Sequence, residues 1–551
     1  MPVENSATQP LPETYQLAES VAAEIARYLD DVVICPGSRN APLSLALLAR
    51  TDIRVHTRHD ERSAAFLALG LARVQRRHVA VCMTSGSAVA NALPAMVEAA
   101  HSHTPLVVLS ADRPERLVGT GASQTIQQQG IFGQCAQTVQ VAGKSDLPAV
   151  AEALSTAWQV HINVALDTPL VGSEMPPVHE GQPGTRAQGP GFVDHGEVEV
   201  DLRRNTLVIA GDEAWEVAGL EDVPTIAEPS APAPYHPVHP AAAYIFRKAQ
   251  VSANNYVVDT KVEQVIVVGH PTLHRGVLAL MNDPDIELIS LSRTPDFTNP
   301  RGDKARLGSR VKTTGEPTRD WYQICQGAAE MGADAVRETL SEFESDFTGL
   351  HVAAAVADTL AVDDALVIGA SNPIRDMSLV GLPFGGVDTY SPRGAAGIDG
   401  TVAQAIGVAL ATQTREAAAP RAPRTIALMG DVTFLHDLTG LLIAPEQPRP
   451  ENLTIVVAND DGCGIFETLE IGHENLRPAF EQAFGTPHAA DLEAAVAAFG
   501  ADYRSAETSQ ELLDILAELK EDSAGITVVE AKTSRKSRRQ LQESIAAKAG
   551  R

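Results

Sequence analysis

The chain has 551 residues, 44% of them hydrophobic and 21% charged, an ordinary globular composition with ample apolar material for a core. At about 150 residues per domain, that length predicts three or four domains. A formal net charge of −27 argues against a nucleic-acid partner but leaves room for small anions, because a few arginines in a cleft invert the local sign. Aromatics are scarce, at 4%, which favours helices packed on parallel strands over stacking platforms. Five scattered cysteines without a CxxC pair read as reduced thiols of a cytoplasmic protein. The first residues, MPVENSATQPLPETYQLAES, carry acids where a signal peptide needs bases. No apolar run reaches the length of a membrane span.

Short Val/Ile-rich runs, each followed by a small-residue turn and a helical pattern, recur along the chain. DDVVICPG, HVAVCMTSG and TPLVVLSAD come first, EQVIVVGH follows near residue 265, and ALVIGAS, RTIALMGD and LTIVVAND come last. Such alternation predicts βαβ units and mainly parallel sheets flanked by helices, an α/β fold whose function gathers at the carboxyl ends of the strands. Between the first two runs lies RHDERSAAFLALGLAR, residues 58–73. Asp60 and Glu61 read as first-turn helix acids, and the apolar sequence after them predicts a helix buried on most sides. Capping alone would explain the acids.

Residues 172–196 are rich in Pro, Gly and Gln and read as a linker, and PSAPAPYHPVHP, 229–240, reads as an excursion within a middle domain. His236 and His239 lie in that excursion, but its prolines would splay them as metal ligands. The expected partition is three α/β domains over 1–185, 197–345 and 346–551. The middle one lacks GxGxxG, so no dinucleotide is expected there. The basic tail from Lys532 to Arg539 reads as a solvated helix face.

Chemistry concentrates late. ALMGDVTFLHDLTG places Gly430 and Asp431 after one strand, and LTIVVANDDGCGIFE places Asn459, Asp460, Asp461 and Gly462 after the next. Hard oxygen ligands at two adjacent strand ends suit Mg²⁺ or Mn²⁺ shared with a diphosphate. Ordinary strand-to-helix turns are the bland reading of either half alone.

This pair resembles the thiamine diphosphate motif, which usually reads GDG and ends NN. Here Val432 replaces the third residue and Asp460 stands where an Asn is usual, adding negative charge without removing an oxygen ligand. CPGSRNAPLSLAL, HTRHDERSAAFLALGLAR, TSGSAVANALPAMVEA, SADRPERL and GASQTIQQQGIFG resemble one branch of that fold, as do SNPIRD, SPRGAAGIDG and GIFE. The branch is the 2-succinyl-5-enolpyruvyl-6-hydroxy-3-cyclohexene-1-carboxylate synthases of menaquinone biosynthesis.

The resemblance implies a three-domain fold with a pyrimidine-binding N-terminal domain and a diphosphate-binding C-terminal one. It implies thiamine diphosphate and Mg²⁺ (or Mn²⁺) as cofactors, bridging two subunits of a homodimer or homotetramer. Glu61 then holds and moves a proton at the cofactor's aminopyrimidine, and Asp431, Asp460 and the Gly462 carbonyl ligate the metal. Ser371, Ile398, Gly430, Val432, Ile465 and Phe466 line the cofactor, with Ile398 propping it in its bent form. The implied substrates, 2-oxoglutarate and isochorismate, are dianions that call for arginine forks. Arg39, Arg113, Arg275, Arg375 and Arg393 are the candidates, with Ser38, Gln124, His274 and Ser371 as further substrate contacts. In SNPIRD, Asn372 reads as the helix cap and Arg375 as a first-turn cation placed against the helix dipole, with Asp376 offering a plain ion pair. A decarboxylase or ligase of smaller 2-oxo acids needs fewer arginines. A catalytically silent subunit would be expected to have lost Glu61 or the metal ligands.

Overall fold

The computed structural model describes residues 12–550, apart from 173–174, 182–185, 254–255, 416, 419–420 and 523. The first part of the acidic N-terminus, and parts of the 172–196 linker, therefore lie outside the described residues. Two compact units make up the chain. One holds Met1–Gly191 with Val402–Ala411 and Asp437–Arg449; the other holds Phe192–Thr401, Thr412–His436 and Pro450–Arg551. Among the described residues no helix is long and apolar enough to cross a membrane.

The first unit is built on a six-stranded, wholly parallel sheet. Its order is Arg54–Thr57, Asp31–Ile34, Val79–Met83, Leu106–Asp112, Gln159–Ala165 and Gln137–Val141. The three expected Val-rich strands are buried along their whole length, as strands covered on both faces must be. The stretch expected to link the domains is tied down. His179 pairs in a bridge with Arg50, and the Arg186 guanidinium donates to Asp30 at 2.7 Å and to the Ala26 carbonyl at 2.6 Å.

The helix Glu61–Gln75 buries every residue from Ser63 to Ala72. It can do so because glycines sit where it meets the segment 402–411. A Cβ on Gly70 would lie 2.3 Å from the Gln404 carbonyl oxygen, and one on Gly407 would lie 2.4 Å from the Leu67 carbonyl oxygen. Gly70→Ala would gain up to about 1 kcal/mol of helix propensity. A backbone carbonyl cannot swing aside, so the clash wins at roughly 1–3 kcal/mol. The expected result is a lowered melting temperature, and an unchanged or raised one would contradict this packing.

The second unit carries two larger parallel sheets, beside a parallel pair of Glu197–Asp201 with Arg310–Thr314 and an antiparallel pair of Gln250–Ala253 with Tyr256–Asp259. The five-stranded one runs Arg306–Gly308, Glu287–Leu291, Gln264–Val268, Thr206–Ala210, Thr225–Ala227. The six-stranded one runs Asp388–Tyr390, Ala365–Ile368, Thr425–Gly430, Asn452–Asn459, Gly525–Lys532, Asp502–Ala506. In the last, strands Thr425–Gly430 and Asn452–Asn459 are neighbours in parallel register, Gly430 opposite Ala458, so both conspicuous turns leave the same sheet edge side by side. In the Pro-rich excursion the two histidines serve separate partners. His239 bonds the Leu379 carbonyl at 2.9 Å, while His236 stands 3.6 Å from Asp222.

The basic tail differs from the expected solvated face. Arg538 is buried and forks onto Asp376 at 2.8 and 2.6 Å, and Arg535 bonds Glu481 at 2.6 Å with little of its side chain exposed. Both arginines turn inward because acids on distant segments neutralise them, which no local pattern announces.

Candidate active site

In the first unit, Asp60 is the N-cap of the Glu61 helix, its Oδ1 accepting the N–H groups of Arg62 at 2.9 Å and Ser63 at 3.4 Å. The capping role thus falls to Asp60 and leaves Glu61, the first helical residue, half-buried at the mouth. Among the described residues no hydrogen bond engages its carboxylate. Its charge reaches the buried Cys35 thiol, which burial first and Glu61 second push well above the ordinary thiol range.

Residues from the last third of the chain brace this mouth. Ser63 Oγ donates to Asp437 Oδ1 at 2.6 Å, Asp437 Oδ2 accepts the Ala403 N–H at 2.8 Å, and Thr439 Oγ1 donates to Asp60 Oδ2 at 2.9 Å. Nearby in the same unit, Arg39 donates to the Leu166 carbonyl at 2.8 Å. Its pKa is lowered by burial and then by the charge of Arg113. Arg113 donates to Ser85 Oγ, and Gln124 Nε2 donates to the Ser85 carbonyl at 3.0 Å. Arg113 and Gln124 therefore share Ser85, with Arg39 in electrostatic reach, while Ser38 is exposed on the preceding turn.

In the second unit the two strand-end turns lock together. Asp431 Oδ1 accepts the Val432 N–H at 2.8 Å, and its Oδ2 accepts the Gly462 N–H at 2.8 Å and bonds His488 Nε2 at 3.0 Å. Gly462 has φ +138°, and a Cβ there would lie 2.0 Å from the Gly485 carbonyl oxygen, so only glycine fits. A Cβ on Gly464 would meet Asp460 Oδ2 at 2.0 Å, whereas nothing lies within 4 Å of one on Gly430. Burial raises the Asp431 carboxyl, and it pushes Asp460 up to about 7 with help from the Asp431 charge. Asp460 Oδ1 is buried without a hydrogen-bond partner.

Two carboxylates raised by burial, one with an orphaned oxygen, are a donor set that a hard divalent cation would complete. Among the described residues no three His, Cys, Asp or Glu side chains converge as metal ligands. A cation here would therefore draw the rest of its shell from a carbonyl such as that of Gly462, from water and from a phosphorylated ligand. Ile465 and Phe466 are half-buried on the following turn Gly464–Thr468, with the Phe466 ring 5.8 Å from that of Phe484. Ile398 is half-buried in the 391–400 loop.

The SNPIRD turn differs from the expectation by one residue. Ser371, not Asn372, is the N-cap, with φ +77° and no side-chain capping bond. A non-glycine residue in that region is strained, and such strain collects at binding sites. Arg375 Nη1 donates to the Ser371 carbonyl at 2.5 Å, and its pKa is lowered by burial and then by Arg393. The ion-pair explanation for Arg375 is weakened, because both Asp376 oxygens accept from Arg538. His274 Nε2 bonds Ser378 Oγ at 3.0 Å, and burial pushes that imidazole down to about 3, so it is neutral and adds no positive charge. Arg275 stands apart, exposed, 3.1 Å from Glu470.

Candidate residues thus fall into two groups, Glu61, Arg39, Arg113 and Gln124 in one unit and Asp431, Asp460, Gly462, Ser371, Arg375 and Arg393 in the other. Sequence reasoning missed Ser85, His488 and Asp437. Ser85 and Asp437 lie inside motifs quoted for other residues, TSGSAVAN and FLHDLTG. His488 has no local signal.

Two family descriptions match the chain. Residues 16–131 match "Thiamine pyrophosphate enzyme, N-terminal TPP binding domain", and residues 387–531 match "Thiamine pyrophosphate enzyme, C-terminal TPP binding domain". A 2-succinyl-5-enolpyruvyl-6-hydroxy-3-cyclohexene-1-carboxylate synthase of Corynebacterium glutamicum (strain R) is 59% identical over 535 residues, 97% of this chain and 98% of the relative. One of Corynebacterium diphtheriae is 59% identical over 530 residues, 96% of this chain and 99% of the relative. Another, of Mycobacterium avium (strain 104), is 42% identical over 566 aligned positions, covering 97% of this chain and 99% of the relative.

Proposed function

This chain belongs to the thiamine diphosphate-dependent 2-succinyl-5-enolpyruvyl-6-hydroxy-3-cyclohexene-1-carboxylate synthase family, and we propose that it decarboxylates 2-oxoglutarate and adds the resulting succinyl unit in 1,4 fashion to isochorismate. The observation that carries the reading is the junction of Asp431 and Gly462 across neighbouring strand ends, with the orphaned Asp460 oxygen beside it. When bound, thiamine diphosphate supplies the nucleophilic thiazolium carbon and accepts the electron pair that CO₂ leaves behind.

The chain's own residues do the rest. Asp431, Asp460 and the Gly462 carbonyl would hold Mg²⁺ or Mn²⁺, whose charge would offset that of the diphosphate, and His488 steadies Asp431. Ser371, Gly430, Val432, Ile465 and Phe466 line the cofactor, and Ile398 props it. Glu61 holds and moves the proton at the aminopyrimidine. Arg39, Arg113, Arg375 and Arg393, with Ser38 and Gln124, bind and orient the substrate carboxylates. His274 serves as a neutral hydrogen-bonding neighbour, and Arg275 reaches substrate only by leaving Glu470. The working form is a cytoplasmic homodimer or homotetramer with the cofactor shared by two subunits, and sedimentation of a fully active monomer would contradict that.

Asp460→Asn, which restores the residue usual in the motif, tests the metal assignment. Removing one charge from the shell is expected to weaken Mg²⁺ binding about tenfold while activity at saturating metal is retained. A metal titration of activity reads this directly. An unshifted midpoint would remove Asp460 from the shell.

A further inference from the structure

The carboxyl ends of the five-stranded sheet surround a buried acid that no motif singled out. Glu228 follows the edge strand Thr225–Ala227 and is 6% exposed. Its Oε1 accepts the backbone N–H groups of Thr272 at 2.5 Å and Leu273 at 2.7 Å. Thr272 in turn offers its hydroxyl to Arg393, whose Nε and Nη2 donate to it at 3.1 and 2.5 Å. Two buried atoms of this chain of contacts have no hydrogen-bond partner, Glu228 Oε2 and Arg393 Nη1. A buried N–H on a charged group is costly to leave unmade, so the arrangement is one that a bound acceptor completes.

The way Arg393 is held matters. Had a carboxylate forked onto it directly, as Asp376 does onto Arg538, its charge would be spent within the protein. A hydroxyl clamp fixes the plane of the guanidinium and leaves both its charge and Nη1 to a ligand. We infer that Glu228 is the positioning residue for Arg393: it holds the Thr272–Leu273 turn that clamps the guanidinium and keeps Nη1 open for a substrate carboxylate. The inference rests on the reading of Arg393 as a substrate-binding residue, and it gives the middle sheet a part in substrate recognition.

Burial pushes Glu228 up to about 7 against the pull of Arg393, with Asp212 raising it further, and Arg375 is the other charge that feels it. Once ionised, it competes with the substrate for the arginines. The KM of the substrate held by Arg393 therefore rises as pH climbs through about 7.

The test uses the holoenzyme and the variants Glu228→Ala, Thr272→Val and Glu228→Gln. The first two are expected to raise KM for one substrate about tenfold or more, with kcat changed far less. Glu228→Gln keeps an oxygen for both N–H groups, so it recovers most of that loss and abolishes the KM step near pH 7. If Glu228→Ala fails to fold, the other two variants carry the test. Unchanged KM in Thr272→Val, or a KM–pH profile of Glu228→Gln identical to wild type, overturns the inference. Wild-type turnover of both substrates is the control for the functional reading. Equal KM for both substrates in wild type and all variants, with wild type active, sinks the inference alone.

Discussion

Glu61→Gln is expected to cut turnover by about 10²–10⁴-fold while thiamine diphosphate still binds. The substitution is nearly isosteric and spares the local structure. Asp60, not Glu61, caps the helix, and the mouth is braced by Ser63 on Asp437 and by Thr439 on Asp60. An amide at position 61 can still hydrogen-bond a ring nitrogen but cannot share a proton with it. Stability should therefore stay near wild type, and the loss should sit in kcat. Comparing kcat with the cofactor dissociation constant checks this, and near-wild-type turnover would remove Glu61 from the proton path.

The largest stability effect is expected from Asp376→Ala, about 3–5 kcal/mol. Its carboxylate is the bidentate partner of Arg538, and both groups are buried. Removing it strands a guanidinium whose Nε already lacks a partner. The pair joins the helix Asn372–Leu379, which carries Arg375, to the helix Arg538–Ala549. Urea unfolding should therefore begin at clearly lower concentration. Adding Arg538→Met should restore much of the loss, since no charge is then left unpaired. If Asp376→Ala unfolds like wild type, the pair is not the buried tie described here.

What the sequence made legible was local. Runs such as TPLVVLSAD and LTIVVAND became buried parallel strands, because a strand covered on both faces needs an unbroken apolar run. The meeting of the Asp431 and Asp460 turns was legible because consecutive βαβ strands pair in parallel, which brings turns about thirty residues apart to one edge. Contacts that depend on distant chain were not legible. Ser63 meets Asp437 across 374 residues and Arg538 meets Asp376 across 162, so neither FLHDLTG nor the basic tail advertised its partner. The shift of the SNPIRD cap from Asn372 to Ser371 has another origin. Ser371 adopts φ +77°, a conformation that serine disfavours and propensity cannot forecast. Glu228 was invisible for a related reason, since an acid after an edge strand reads as a surface residue until the turn it holds is seen.

The most direct test of the account incubates the protein with Mg²⁺, thiamine diphosphate and 2-oxoglutarate, with and without isochorismate, following CO₂ release and isochorismate loss together. Equimolar consumption of the two substrates is the predicted result. CO₂ release indifferent to isochorismate would make the protein a plain 2-oxo acid decarboxylase, and no reaction under any condition would contradict the assignment of a catalytic site to these residues.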